Sequence, residues 1–142
     1  MAHDYKYQAK GTFAIKSWDE KTWDGKEWSE VQGAKLTHAK VVQSFHGDIE
    51  AECTAQLLMA YPAEGAVSYT GLQLMTGTLA GRTGTFVLQS SGAFEGDSAK
   101  TTWFVTPGSG AGELKGLRGA GGYVAVHGVE QVPYTLDYDF AG

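Results

Sequence analysis

Between residues 48 and 61 the chain alternates without a break. Ile49, Ala51, Cys53, Ala55, Leu57, Met59 and Tyr61 fall on one side of an extended backbone, and Asp48, Glu50, Glu52, Thr54 and Gln56 on the other. Side chains of a strand point to opposite faces in turn, so the pattern dictates a strand with one dry face and one wet face. Residues 5–18 repeat it, with Tyr5, Tyr7, Ala9, Gly11, Phe13 and Ile15 set against Lys6, Gln8, Lys10, Thr12 and Lys16. No stretch carries a helical period beyond a possible single turn at residues 113–117.

Further strands are predicted at residues 35–46, 67–79, 82–94, 98–106, 122–126 and 132–140, giving about eight. Gly47-Asp48, Ala80-Gly81 and Gly96-Asp97 supply tight turns between consecutive strands. The chain has 20 glycines and only 3 prolines, a mix that suits many short turns. Consecutive antiparallel strands of this kind close most economically into a barrel, which removes exposed edges; a two-sheet sandwich is the alternative. The expectation is therefore an all-β chain with little or no helix, one closed antiparallel barrel over residues 1–142. A chain of this length buries roughly two-thirds of its unfolded surface. Two segments interrupt the alternation: a polar loop at residues 19–33 carrying Trp23 and Trp28, and a glycine-rich stretch at 107–121 holding Leu114, Leu117 and Arg118. Both are long enough to cover a barrel mouth.

Composition excludes several classes of function. A net charge of −5 with scattered Lys and Arg argues against a nucleic-acid partner. Cys53 is the single cysteine, so an intrachain disulfide is impossible and no thiolate metal cluster is expected. His3, Asp4 and Lys6 interrupt any apolar leader, and no apolar run approaches the roughly 20 residues of a membrane helix. The expected setting is the cytoplasm, away from membranes.

His38 and His46 share a strand face but stand about 26 Å apart, too far to share a metal. Glu50/Glu52 and Asp137/Asp139 are paired carboxylates at a spacing of two, yet the opposite faces of their strands are the apolar ones, so these acids read as solvated. The Asp19/Glu20 pair falls in the polar loop. Glycines 108–122 lack the Lys-Ser/Thr ending and following helix of a phosphate loop. Cys53 sits among apolar neighbours, with no cation placed to lower its pKa. No cofactor is expected.

What remains is the inner face. The apolar parity of each strand directs Gln43, Cys53, Met59, Tyr61, Tyr69, Gln73, Gln89, Trp103, Tyr134 and Tyr138 toward the lumen. Parity is firm for the second and third strands and ambiguous for the fourth and fifth, which carry apolar groups on both faces. An eight-stranded interior either fills with side chains or holds one small ligand. A few polar groups converging in an apolar cavity point to the second, with Gln43, Cys53, Tyr61, Tyr69, Gln73, Gln89, Trp103 and Tyr134 as ligand-binding candidates.

Several motifs resemble a bacterial family known as a domain of unknown function and grouped with allene oxide cyclase-like barrels. They are Gly11-Thr12-Phe13, Ser17-Trp18-Asp19-Glu20, Gly47-Asp48-Ile49-Glu50, Thr76-Gly77-Thr78-Leu79, Gly81-Arg82, Phe86-Val87-Leu88-Gln89 and the closing Tyr134-Thr135-Leu136-Asp137-Tyr138-Asp139-Phe140. The segment 110–121 is also similar, more distantly, to the glycine-rich signature of allene oxide cyclases and dirigent proteins. The resemblance implies a fold, a small barrel, and not an activity; the more distant allene oxide cyclases and dirigent proteins guide the cyclisation or coupling of hydrophobic molecules. Many members of the family carry Glu at the position of Gln73 and His at the position of Ser90; if those are an acid and a base, this chain lacks both. Three functions stay open: a cofactor-free cyclase or isomerase, a carrier of a hydrophobic small molecule, and a filled-core homo-oligomer. The last would use the apolar second faces around Leu72, Leu74, Phe86, Leu88 and Phe104.

Overall fold

Alternation becomes a ring. The computed structural model describes residues 5–63 and 65–141; His3 and Asp4, used above, lie outside them. Strands β1 (Tyr7–Thr22), β2 (Lys35–Gly47), β3 (Ile49–Ala63), β4 (Ala66–Leu79), β5 (Arg82–Glu95) and β6 (Ser98–Val105) follow one another. A two-residue strand β7 (Ala111–Gly112), then β8 (Leu117–Val126) and β9 (Val132–Phe140), complete the chain. Neighbours pair in the order β4-β3-β2-β1-β9-β8-β6-β5, and β4 pairs with β5 to close the ring. Every pairing is antiparallel, and β7 is a short addition against β5 at Gly84 and Thr85. Among the described residues there is no α-helix, only a 3-10 turn at Trp28–Glu30, and none that could cross a membrane as a helix. The expected barrel is present. Two strands are longer than expected: β1 runs on to Thr22, and β8 begins at Leu117 rather than residue 122.

Register in the ambiguous half of the barrel is decided by the β4–β5 hairpin. Ala80 and Gly81 both take positive φ, 50° and 84°, the primed-turn geometry that matches strand twist. Leu79 therefore opposes Arg82, which sets Gln73 against Leu88 and Met75 against Phe86. Residues directly opposite share a face. Gln73 and Met75 are buried in the core, so Phe86 and Leu88 must be as well, and their exposures are 2% and 0%. This corrects the expectation that those two lie on the outer face. By the same register Gln89 opposes the exposed Leu72 and Phe104, so its side chain sits on the outer wall, where Thr106 Oγ1 donates to its Oε1 at 3.3 Å. Gln89 is not a lumen residue.

One end of the barrel is stoppered. Ile49, Leu79, Phe86, Val105, Leu114 and Leu117 are all buried there, so the glycine-rich stretch does cover a mouth. Residues 111–117 form tight turns, with Leu117 N–H donating to Leu114 C=O at 3.1 Å, but no helix. Tyr134 pins the same region. Its hydroxyl accepts from Ile49 N–H at 3.0 Å and donates to His46 C=O at 3.1 Å, tying β9 to the β2–β3 turn. Gly11 makes room for it, since a Cβ there would stand 2.6 Å from the Tyr134 hydroxyl and 2.0 Å from the His46 carbonyl oxygen. Above the stopper an aromatic block fills mid-barrel. Phe13 stacks on Phe45 at 4.9 Å, Phe45 meets Tyr134 at 5.2 Å, and Trp103 meets Tyr123 at 5.2 Å.

Ala80 holds a left-handed conformation that costs an alanine roughly 1 kcal/mol and an asparagine less. Ala80→Asn should stabilise the barrel by up to about 1 kcal/mol, read as a higher urea midpoint with an unchanged slope.

Candidate functional site

At the end opposite the stopper the wall encloses a cavity of about 380 Å³. Its sides are apolar, with Phe13, Leu57, Met59, Val67 and Phe94 among them, and Ile15, Trp18 and His127 at the rim. A bulge in β1 shapes this rim. The register with β2 shifts between Ile15 and Ser17, so Ile15 opposes Gln43 while Trp18 opposes Val41 and Glu20 opposes Ala39. One extra residue reverses which side chains face inward. Odd positions face in up to Ile15, and even positions after it. Trp18 thereby joins the cup, and Glu20 and Thr22 are buried.

The floor is polar and fully connected. Ser90 Oγ donates to Gln73 Oε1, Gln73 Nε2 donates to Gln43 Oε1 at 2.8 Å, and the same Nε2 contacts Cys53 Sγ at 3.5 Å. Gln43, whose oxygen is occupied in this way, also lines the cup. No buried side-chain nitrogen or oxygen among the described residues lacks a partner. On the wall Tyr69 Oη lies 2.5 Å from Thr101 Oγ1, and Tyr123 joins this hydroxyl cluster. Gly92 admits it, because a Cβ there would come within 2.8 Å of the Tyr69 oxygen. Burial raises the pKa of both tyrosines, so both phenols stay protonated. It also pushes the Cys53 thiol up to about 12, which removes it as a nucleophile.

Beside the cup lies a buried carboxylate the alternation did not reveal. Glu20 is 5% exposed and accepts from Trp18 Nε1 at 2.9 Å, Thr37 Oγ1 at 2.6 Å and Tyr61 Oη at 2.5 Å. Burial first, and Glu20 second, push the Tyr61 phenol upward. Tyr61 in turn stacks on Trp28 with centroids 6.5 Å apart. Lys35 Nζ sits 4.7 Å from the Trp28 ring and 5.0 Å from Tyr61, and donates to the carbonyls of Trp28 and Val31. The 23–34 connection is thus latched to the wall. Trp23 does not cover the mouth: it is 63% exposed on the outer surface beside Leu36 and Leu58.

Of the eight candidates, Gln43 and Tyr69 line the cup, while Cys53 and Gln73 support its floor. Trp103 and Tyr134 belong to the aromatic block, Tyr61 to the Glu20 network, and Gln89 to the outer wall. Met59 lines the cup, and Tyr138 packs against Tyr7 and Phe140. His38 and His46 bond Gln56 and Glu50, away from the cavity. Asp139 departs from its expected solvation. It is 5% exposed, on the outer side of β9, and pairs with Arg118. The pairing of Gln43 with Cys53 and of Gln73 with Leu88 was recoverable from turn positions alone. The bulge that buries Glu20 left no such signal.

Fold and site together define a small closed barrel, stoppered at one end and open to a neutral cup at the other. The chain belongs to the family described as Protein of unknown function (DUF3224), whose model matches residues 9–138. It is similar to a crystal structure described as a protein with unknown function from the DUF3224 family from Shewanella oneidensis MR-1. That similarity has a TM-score of 0.78 and 27% identity over 96% of this chain and 98% of that one. No curated protein matches the chain. The two positions singled out by the family resemblance, Gln73 and Ser90, are bonded neighbours in the floor.

Replacing Glu20 by Ala should strand three donors and cost about 1–3 kcal/mol, measured by chemical denaturation. Red-shifted Trp18 emission should accompany it. Alkaline pH should also weaken the fold. Cys53 and Tyr61, Tyr123 and Tyr134 hold their protons above their ordinary values of 9.0 and 10.0. The folded state then binds more protons than the unfolded one, so stability is full below pH 9.0 and falls as pH rises toward about 12. Denaturation midpoints measured across that window should decline steadily.

Proposed function

We propose that this barrel binds one neutral, mainly apolar small molecule carrying a hydrogen-bond acceptor. The observation that carries the reading is the cup itself. About 380 Å³ lies within the usual range of small-molecule pockets, and apolar walls with a few oriented polar groups are what such pockets need. The polar residues that line its wall and floor are uncharged: Gln43, with Tyr69 and Tyr123, whose phenols are bonded in the cluster with Thr101. An anionic or cationic ligand would lose its hydration there without gaining a counter-charge. A carbonyl or ether oxygen would be met by the Gln43 NH₂.

The same neutrality favours holding over transforming. Protonated phenols and a protonated thiol do not abstract protons at neutral pH, and His127 stands at the exposed rim. A cyclase in this cup would work through shape and water exclusion alone.

Titration with the neutral dye N-phenyl-1-naphthylamine should give one blue-shifted site per chain, and Ala99→Trp, which fills the cup, should abolish it. An aryl ketone should displace the dye about tenfold better than the matching hydrocarbon, with Gln43→Leu erasing that preference. Dye that binds the filled barrel equally well refutes the reading.

A further inference from the structure

We propose that the outer face of β3 to β6 is a homodimer interface, covered by the same face of a second copy of this chain. Four exposed side chains mark it: Leu58, Leu72 and Leu74, each about half exposed, and Phe104 at 45%. The register brings them together. Thr54 opposes Leu74, Leu58 opposes Thr70, Leu72 opposes Gln89, and Gln89 opposes Phe104. An apolar strip of this continuity on a water-facing wall marks an interaction surface rather than ordinary surface scatter.

Charge separates the possible occupants. From Ala66 to Leu79, and from Thr83 to Phe94, the chain carries no charged residue. The chain is net −5, and the middle of this wall, β4 and β5, brings no charge of its own to a second copy; the charges stand at its corners, with Glu52 opposite Thr76 on one side and Lys100 opposite Ala93 on the other. Along its border Glu50, Glu52 and Glu95 outnumber Lys100, a balance that an anionic lipid surface would reject. A closed ring leaves the wall no edge for an extended peptide to join as a strand. Contact must be side chain to side chain.

Relief and area fit a two-fold partner. Leu58 is a ridge shared by two outer grooves, one of about 340 Å³ beside Trp23 and Leu36, the other of about 540 Å³ between Gln56 and Leu74. A two-fold axis near this ridge sets each copy's leucines into the other's groove, the self-complementarity an isologous dimer requires. Strands β3 to β6 span roughly 19 Å across and Ser68 to Thr76 roughly 27 Å along, about 500 Å² per copy before side-chain relief. Two such faces reach the roughly 1,000 Å² of a specific interface. Trp23 and Phe104, at opposite flanks, extend contact past the curve of the wall.

Sedimentation velocity tests this. The wild-type chain should sediment at twice its 15.2 kDa, and Leu58→Glu/Leu72→Glu should weaken association by at least about 100-fold with an unchanged near-ultraviolet spectrum. If that double variant does not fold, Gln56→Arg in the larger groove serves the same purpose. A wild-type monomer overturns the proposal. So does a folded variant that remains dimeric, or a monomer that instead floats with phosphatidylcholine vesicles.

Discussion

Strand β1 is paired on both sides, with β2 along most of its length and with β9 over Tyr7 to Phe13. That double pairing closes the ladder, and the rest of the molecule follows from it. Where a strand is paired on both sides its backbone groups are satisfied within the wall, and it cannot slip without those neighbours moving. Inside and outside are then a matter of parity. Burial alternates along β2, β4 and β6, and the polar side chains that enter the lumen do so at allowed parity, bonded to one another. The bulge after Ile15 is the place where β1 changes parity, and it delivers both Trp18 to the rim and Glu20 to its buried network.

The barrel divides its labour along its axis. Aliphatic plugs and an aromatic block make the lower part solid, and Tyr134 ties β9 to the turn that β2 and β3 share. The upper part is hollow and lined with groups whose protons are held firmly by burial. This arrangement reconciles two opposed expectations for an eight-stranded interior, filled or ligand-sized. It is filled below the Gln43–Gln73–Ser90 chain and hollow above it.

Much of this was legible in the alternation. The β3 pattern placed Cys53, Met59 and Tyr61 inside, and the glycine turns marked the strands to within a few residues. Of the eight candidate residues, Gln43, Tyr69, Gln73 and Cys53 gather at the cup or its floor, and the other four lie elsewhere. Gln89 failed because β5 is apolar on both faces, which leaves parity without a hydrophobic vote. The two-residue turn at Ala80-Gly81 held the missing information, since counting outward from it pairs Gln73 with Leu88. Glu20 failed for a different reason. A bulge is a backbone event with no composition of its own, and a charged residue beside Asp19 reads as loop until the ladder is seen to continue to Thr22. Asp139 likewise owes its burial to a neighbour on another strand, Arg118, which no local pattern reveals.

The stopper has a consequence for how the chain can change. Connections at residues 23–34, 95–98 and 127–131 all surround the open end, whereas the Leu114 plug and the Tyr134 tie hold the far end. Sequence drift, insertion or deliberate grafting around the mouth can therefore reshape the rim without unfastening the vessel. The molecule is built like a stoppered vial whose rim can be recut while its base stays sealed.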